Sequence, residues 1–98
     1  MNPQIIVRDF QIPTKFKNII NKKFDRLFHY SNRIMSGRIV IENDGSNYHL
    51  EFFLKLKGHD LTVHTRKPNL LAGINNLYEK MRRRLKREEE RIKEHRSR

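Results

Sequence analysis

The most concentrated chemical feature of the chain is a run of cations near its C-terminus. Positions 82–87 read RRRLKR, which is five cations and one leucine. Lysine and arginine both neutralise phosphate, and the planar guanidinium group of arginine also pairs bidentately with phosphate and stacks on exposed bases. This density of positive charge favours a polyanionic ligand, with nucleic acid as the first candidate.

Helical spacing arranges these cations on two sides of an apolar stripe. At about 100° per residue, the predicted inner face comprises Leu70, Ile74, Leu77, Met81 and Leu85, with Leu71 and Tyr78 on one flank. One basic flank comprises Lys80, Arg84, Arg87 and Arg91 with Arg83 beside it, and the other comprises Arg82, Lys86 and Lys93. Lys22 and Arg26 of an earlier helix would extend this surface if the two helices lie side by side. A basic cleft would then separate the helices.

A second interpretation treats the same segment as a solvated helix end that is held by ion pairs. Glu88, Glu89, Glu90 and Glu94 lie three or four positions from basic residues. Such pairs contribute only about 0.2–0.5 kcal/mol each, and they cannot neutralise the run at 82–87. Nucleic-acid binding is therefore the leading interpretation for this helix. For Lys22 and Arg26, ordinary exposed charge explains the residues equally well.

Five histidines raise the question of an RNA-cleaving or metal-binding site. His59 and His64 are five positions apart in a predicted strand and therefore point to opposite faces. His49 and His64 could meet across neighbouring strands, but no carboxylate accompanies them at a ligand-like spacing. The glycines are isolated from one another, so no phosphate-cradling loop is predicted either. We expect no catalytic residue, no metal, no cofactor and no small-molecule substrate.

Length and composition limit the remaining possibilities. The 98 residues support one domain with a single small core. With 22 Lys and Arg against 11 Asp and Glu, the formal net charge is +11, which a polyanionic partner would offset. The absence of cysteine excludes disulfides, thiolate zinc sites and thiol catalysis. The short apolar stretch before Arg8 is too brief for a signal peptide or a membrane span, so we expect a cytoplasmic protein without a membrane partner.

Proline, glycine, asparagine and aspartate divide the chain into six elements in the order β-α-β-β-β-α. The predicted strands are Gln4–Arg8, Ile34–Glu42, Tyr48–Lys57 and His59–Lys67, and the predicted helices are Lys15 to about His29 and a long helix from Leu70. We expect Thr14 and Asn69 to cap the helices. The predicted fold is α+β, a four-stranded sheet with two helices packed on one face. We predict one domain over residues 1–98, whose last helix projects beyond the core from about residue 86.

With this order of elements and a basic last helix, the chain resembles the short ribosome hibernation promoting factors, also called ribosome-associated inhibitors or subunit interface proteins. The resemblance covers nearly the whole length, and its more specific parts are "VRDFQI", "KKFDRL" and "NLLAGINNLYEKMRRRLKR". These segments are similar to the family's basic first-strand exit, its lysine-rich first helix, and its small residues followed by an isoleucine and a basic run. At the first-strand exit, this chain has Val7 where the family usually has glycine before the basic residue.

The resemblance implies a protein that occupies the decoding region of the small ribosomal subunit. There it would bind ribosomal RNA, block messenger and transfer RNA, and so inhibit translation on idle ribosomes. The matched segments imply RNA contacts at Lys22, Lys23, Arg26, Lys80, Arg83, Arg84, Lys86 and Arg87. The basic flanks of the last helix add Arg82 and Arg91 to these predicted contacts.

Two other functions remain open at the level of sequence. A general double-stranded RNA-binding protein or RNA chaperone would use the same cations without preference for the ribosome. An RNA-cleaving enzyme would use His49 or His64.

Overall fold

The computed structural model describes the backbone of residues 2–96 and the side chains of residues 2–92. Its elements are β1 (Gln4–Arg8), α1 (Thr14–Tyr30), β2 (Ile34–Asn43), β3 (Tyr48–Leu56), β4 (Asp60–Lys67) and α2 (Leu70–Arg96). This confirms the predicted α+β order of elements. The turn between β3 and β4 is longer than predicted, because Gly58 adopts a φ of 102° and the Leu56 N–H donates to the His59 carbonyl at 3.0 Å.

The four strands form one mixed sheet in the order β1-β2-β3-β4. β1 is parallel to β2, with Ile5 opposite Ile39. The β2–β3 and β3–β4 pairs are antiparallel. A parallel pair requires a long crossover connection, and α1 is that connection.

Both helices pack on one face of this sheet, as predicted. Residues facing the helices from β3 are Leu50, Phe52, Leu54 and Leu56, all buried. The helices contribute Ile20, Phe24 and Leu27 from α1 and Leu70, Ile74, Leu77, Met81 and Leu85 from α2. Phe24 and Phe52 meet edge to face with ring centroids 4.4 Å apart, which joins α1 to the centre of the sheet. The predicted apolar stripes therefore form the core, although Phe16 is only partly buried.

The two helix starts differ in how well local sequence predicted them. The Oδ1 of Asn69 accepts from the Ala72 N–H at 3.0 Å, which confirms this residue as the cap of α2. The predicted cap at Thr14 is wrong, since Thr14 is already helical and Pro13 holds the N-cap position without a side-chain hydrogen bond. The Pro13 carbonyl accepts instead from the Phe16 N–H at 3.0 Å. Proline has a φ suited to this entry, so the helix begins one residue early.

The C-terminal half of α2 contacts the domain through Leu85, Glu88 and Glu89. Leu85 is fully buried, and Glu88 is buried against the turn between β3 and β4. Glu89 contacts Ser31 at the end of α1. Polar contacts thus continue along α2 after its apolar stripe has ended.

The turn between β2 and β3 is organised by one carboxylate. Asp44 Oδ1 accepts from the backbone N–H groups of Ser46 at 2.9 Å and Asn47 at 2.7 Å, while Gly45 adopts a φ of 94°. Asp44 Oδ2 lies 2.8 Å from Nε2 of His49. The hydrogen bond with His49, followed by the two backbone N–H groups, holds the pKa of Asp44 well below its usual value.

Enlarging Gly73 should destabilise the fold, because α2 approaches β3 closely there. A Cβ atom at Gly73 would lie 2.7 Å from Cδ1 of Leu50, which is fully buried. We expect Gly73→Val to lower the free energy of unfolding by roughly 1–3 kcal/mol through overpacking. Urea unfolding followed by circular dichroism measures this change. The matched control is Asn75→Val, at an exposed position of the same helix; equal stability of the two variants would contradict the prediction.

Asp44 should make stability depend on pH in the acidic range. A carboxyl group whose pKa is lowered by folding contributes stability above its unfolded pKa, which is about 3.9, and that contribution is lost as the pH falls toward the folded pKa. We therefore expect Asp44→Asn to be less stable than the parent near neutral pH, with a deficit that shrinks below about pH 4. Urea unfolding over a pH series tests this. A deficit that stays constant down to about pH 2 would contradict the prediction. Asp60→Asn, at the start of β4, serves as the control.

Candidate nucleic-acid interface

Burial of the inner stripe of α2 determines where the cations of this helix point. Met81 and Leu85 are fully buried, so with 3.6 residues per turn the side chains between them face away from the core. The exposed cations are Arg83, Arg84, Lys86, Arg87 and Arg91, while Lys80 and Arg82 are partly buried. Lys93, which we assigned to the second flank, has a side chain outside the described residues.

One group of these cations lines a groove beside β4. The groove has a volume of about 300 Å³ and is lined by Val63, Lys80, Arg83, Arg84 and Arg87. Lys80 Nζ donates to the backbone carbonyl of His64 at 2.8 Å, and Arg83 Nε donates to the carbonyl of Glu79 at 3.3 Å. Neutral carbonyls position these two side chains without cancelling their charge. The groove therefore brings four cations together on one flank of α2.

Two glutamates of α2 that follow the basic run, Glu88 and Glu89, are directed toward the rest of the domain. Glu88 is 8% exposed, and its Oε1 lies 2.9 Å from Nε2 of His59. Glu89 accepts a hydrogen bond from Oγ of Ser31. These carboxylates anchor the helix and do not pair with the run at 82–87.

Among the α2 side chains that the structure describes, most of the cations are left without an acidic partner. In the part of the chain whose side chains are described, Glu79 pairs with Arg82 at 3.1 Å. Within that same part, no carboxylate forms an ion pair with Arg83, Arg84, Lys86, Arg87 or Arg91. The interpretation of this segment as a helix end neutralised by glutamates therefore does not describe its contacts.

The second basic flank of α2 faces α1, which lies beside it and runs in the same direction. The rings of Phe24 and Tyr78 have centroids 5.7 Å apart, and Ser31 meets Glu89 further along both helices. Arg82 lies one turn after Tyr78, on the flank that these contacts define. Lys86 lies one turn further along that flank and is exposed.

Lys23 borders the same cleft from α1, and Lys22 and Arg26 lie close to it in the sequence. Lys22 and Arg26 are exposed, and helical spacing places them one turn apart on the outer side of α1. Lys23 is partly buried, with Nζ 5.2 Å from the centroid of the Tyr78 ring. The structure thus brings Lys23 alongside α2 and directs its ammonium group toward an aromatic ring, while Lys22 and Arg26 lie on the exposed side of α1. RNA binding by these residues remains a prediction.

Sequence reasoning missed a charge cluster on the sheet face opposite the helices. We found no carboxylate partner for His49, but Asp44 Oδ2 lies 2.8 Å from its Nε2 and 3.6 Å from the guanidinium group of Arg66. Asp44 precedes His49 by five residues across a tight turn, and that geometry was the available clue. Among the described residues, no group of three or more histidine, aspartate or glutamate side chains is placed to hold a metal ion.

Comparisons with known proteins agree with this architecture. The fold matches a ribosomal subunit interface protein from Coxiella burnetii with a TM-score of 0.84 and 16% identity, over 91% of this chain and 98% of that one. It also matches the N-terminal domain of Thermus thermophilus Protein Y with a TM-score of 0.78 and 24% identity, over 89% of this chain and 98% of that one. At these identities the matches establish the fold alone.

The sequence itself identifies the family. The search of curated proteins gave no match. In the described residues, no helix has the length and apolar character needed to cross a membrane. Residues 4–93 match the family described as Sigma 54 modulation protein / S30EA ribosomal protein. This match covers nearly the whole chain and confirms the resemblance to the ribosome hibernation promoting factors, so the protein belongs to the Sigma 54 modulation protein / S30EA ribosomal protein family.

Proposed function

We propose that this protein binds the decoding region of the small ribosomal subunit through ribosomal RNA and blocks messenger and transfer RNA there, thereby inhibiting translation. The observation that carries the proposal is the set of cations on α2 that have no acidic partner among the described residues. Membership of a family described as a ribosomal protein supports the choice of partner. One structural relative is itself named a ribosomal subunit interface protein.

Two basic surfaces on one rigid layer are suited to holding folded RNA. The groove beside β4 and the cleft between the helices lie on the two flanks of α2. Phosphate contacts from such surfaces fix position and orientation, while the shape of the RNA determines where the domain fits. The proposed RNA contacts are Lys22, Lys23, Arg26, Lys80, Arg82, Arg83, Arg84, Lys86, Arg87 and Arg91.

Inhibition in this proposal results from occupancy and requires no catalytic step. A cationic domain that fills an RNA-lined channel excludes other polyanions from it, because both compete for the same phosphate-bearing walls and the same volume. The protein accordingly acts in the cytoplasm, without enzymatic activity, and its affinity falls steeply as salt concentration rises.

Reversing the charge of the groove beside β4 should abolish RNA binding without unfolding the domain. Arg83, Arg84 and Arg87 are exposed and contribute nothing to the apolar stripe. We expect the triple change Arg83→Glu, Arg84→Glu and Arg87→Glu to weaken binding to small subunits by about 100-fold or more. The slope of log affinity against log salt concentration should also become shallower, by the amount that corresponds to about three phosphate contacts. Cosedimentation at graded salt measures both. Lys80 is left unchanged because it also bonds to His64.

A variant with the same change in net charge is the control for this experiment. Lys15, Lys17 and Lys57 are exposed and lie outside both basic surfaces. Their combined reversal to glutamate should lower affinity far less than the reversal on α2. If the two folded variants lose affinity equally, net charge alone explains binding and the assignment of the groove is wrong.

Competition should show a preference for the small ribosomal subunit over unrelated RNA. We expect small subunits to displace the bound protein at concentrations at least about tenfold lower than a plain RNA duplex, since the duplex offers phosphates without the matching shape. Messenger RNA binding to the same subunits should fall as protein is added. Equal displacement by the duplex would instead favour a general double-stranded RNA-binding protein or RNA chaperone.

A further inference from the structure

The face of the sheet opposite the helices carries a cavity that the proposed ribosomal contacts do not use. Its volume is about 640 Å³, and residues around it include Gln4, Met35, Arg38, Phe53, Lys55 and Thr62. Ligand-binding clefts of this size, about 300–1,000 Å³, accommodate small organic groups. The cavity therefore has room for a nucleotide.

A cation–π pair of side chains lines this cavity. The guanidinium carbon of Arg38 lies 4.7 Å from the centroid of the Phe53 ring, and the two residues are direct neighbours across β2 and β3. Arg38 is exposed, whereas Phe53 is partly buried beneath it. The outer face of a planar guanidinium group held in this way is available to stack on a flat aromatic ligand.

A bulge at the start of β2 opens one side of the cavity. Ile34 pairs with Leu56 while Ser36 pairs with the adjacent Lys55, so Met35 is an extra residue in the strand. The side chain of Met35 is 52% exposed, which is unusual for a large apolar residue. The bulge thus places an adaptable thioether at the rim, where it can contact the face of a ring.

The charge of the cavity favours an anionic ligand. Arg38 and Lys55 form no ion pair with a carboxylate anywhere in the described part of the chain. Asp60 is an acidic residue at the rim and lies opposite Lys55 across β3 and β4, which leaves two cations against one anion. A ligand that combines a flat ring with a nearby negative charge satisfies these groups together.

We propose that this platform, consisting of Arg38, Phe53, Lys55 and Met35, binds an unpaired nucleotide of single-stranded RNA. The base stacks on the guanidinium group of Arg38, and Lys55 attracts the neighbouring phosphate. Bases within a duplex hide their faces, so a stacking site selects single strands. Because the platform and the basic helices lie on opposite faces of the sheet, both can be occupied at once. The platform contains no residue of α1 or α2, so this inference goes beyond the proposed ribosomal contact.

Fluorescence quenching of a short single-stranded oligoribonucleotide that contains 2-aminopurine tests the proposal, because this base loses fluorescence when it stacks. The full chain should quench the probe, and Arg38→Lys should bind about fivefold or more weakly, since lysine keeps the charge and lacks the plane. Amide signals of Arg38, Phe53 and Thr62 should shift in a parallel NMR titration. Affinity for small ribosomal subunits should be unchanged in the same variant.

A matched control and a competitor complete the experiment. Arg66→Lys makes the same substitution on the same sheet face, beside Asp44 and away from the cavity, and should leave quenching as it is. Equal quenching by the parent and Arg38→Lys, or NMR shifts confined to the helices, would overturn the platform. So would full displacement of the probe by an acidic peptide at equal charge concentration, because charge alone would then explain binding. Loss of subunit binding in the α2 triple variant, with quenching retained, would separate the two sites.

Discussion

Burial of one apolar stripe of α2 is the constraint from which the rest of the surface follows. Each of its buried leucine, isoleucine or methionine side chains contributes about 1.5–3 kcal/mol, whereas like charges one turn apart cost only a few tenths of a kcal/mol. The hydrophobic term therefore determines the rotation of the helix, and the cations follow it. Leu85 is decisive, since it lies inside the basic run and is fully buried. One leucine among five cations thus directs Arg83, Arg84 and Arg87 to one flank and Arg82 and Lys86 to the other.

Two of the glutamates after the basic run help to hold α2 in this position. Glu88 occupies the next position of the inner stripe and meets His59, and Glu89 meets Ser31. Polar contacts with a strand turn and with the end of α1 therefore hold α2 where apolar residues run out. Because these carboxylates face inward, they add stability without reducing the outward positive potential. If the same two carboxylates lay on the outer face of α2, the positive potential there would be weaker, although the composition of the helix would be the same.

The parts of the structure that sequence predicted are those encoded in short-range periodicity. The stripe of α2, the alternation along β3 and the cap at Asn69 each depend on residues within one or two turns. The cap at Thr14 failed because the preceding proline took the position. The contact between Glu88 and His59, and the stacking of Arg38 on Phe53, join residues that only the folded topology brings together. Cations on the helix surface were accordingly predictable, whereas the partners of the acids and the contact of Arg38 with Phe53 were not.

The hydrogen bond from Lys80 to the His64 carbonyl also affects how readily copies of this domain could associate through β4. β4 is an outer strand of the sheet, and outer strands offer unpaired backbone groups to which a foreign strand can add. Here the ammonium group of Lys80 donates a hydrogen bond to one of those carbonyls, and Arg84 and Arg87 line the same groove. An incoming strand would have to displace an ammonium group and settle beside uncompensated cations. The side chains that we propose to bind RNA therefore also protect this edge of the sheet against aggregation, and neutralising them would expose the edge to self-association.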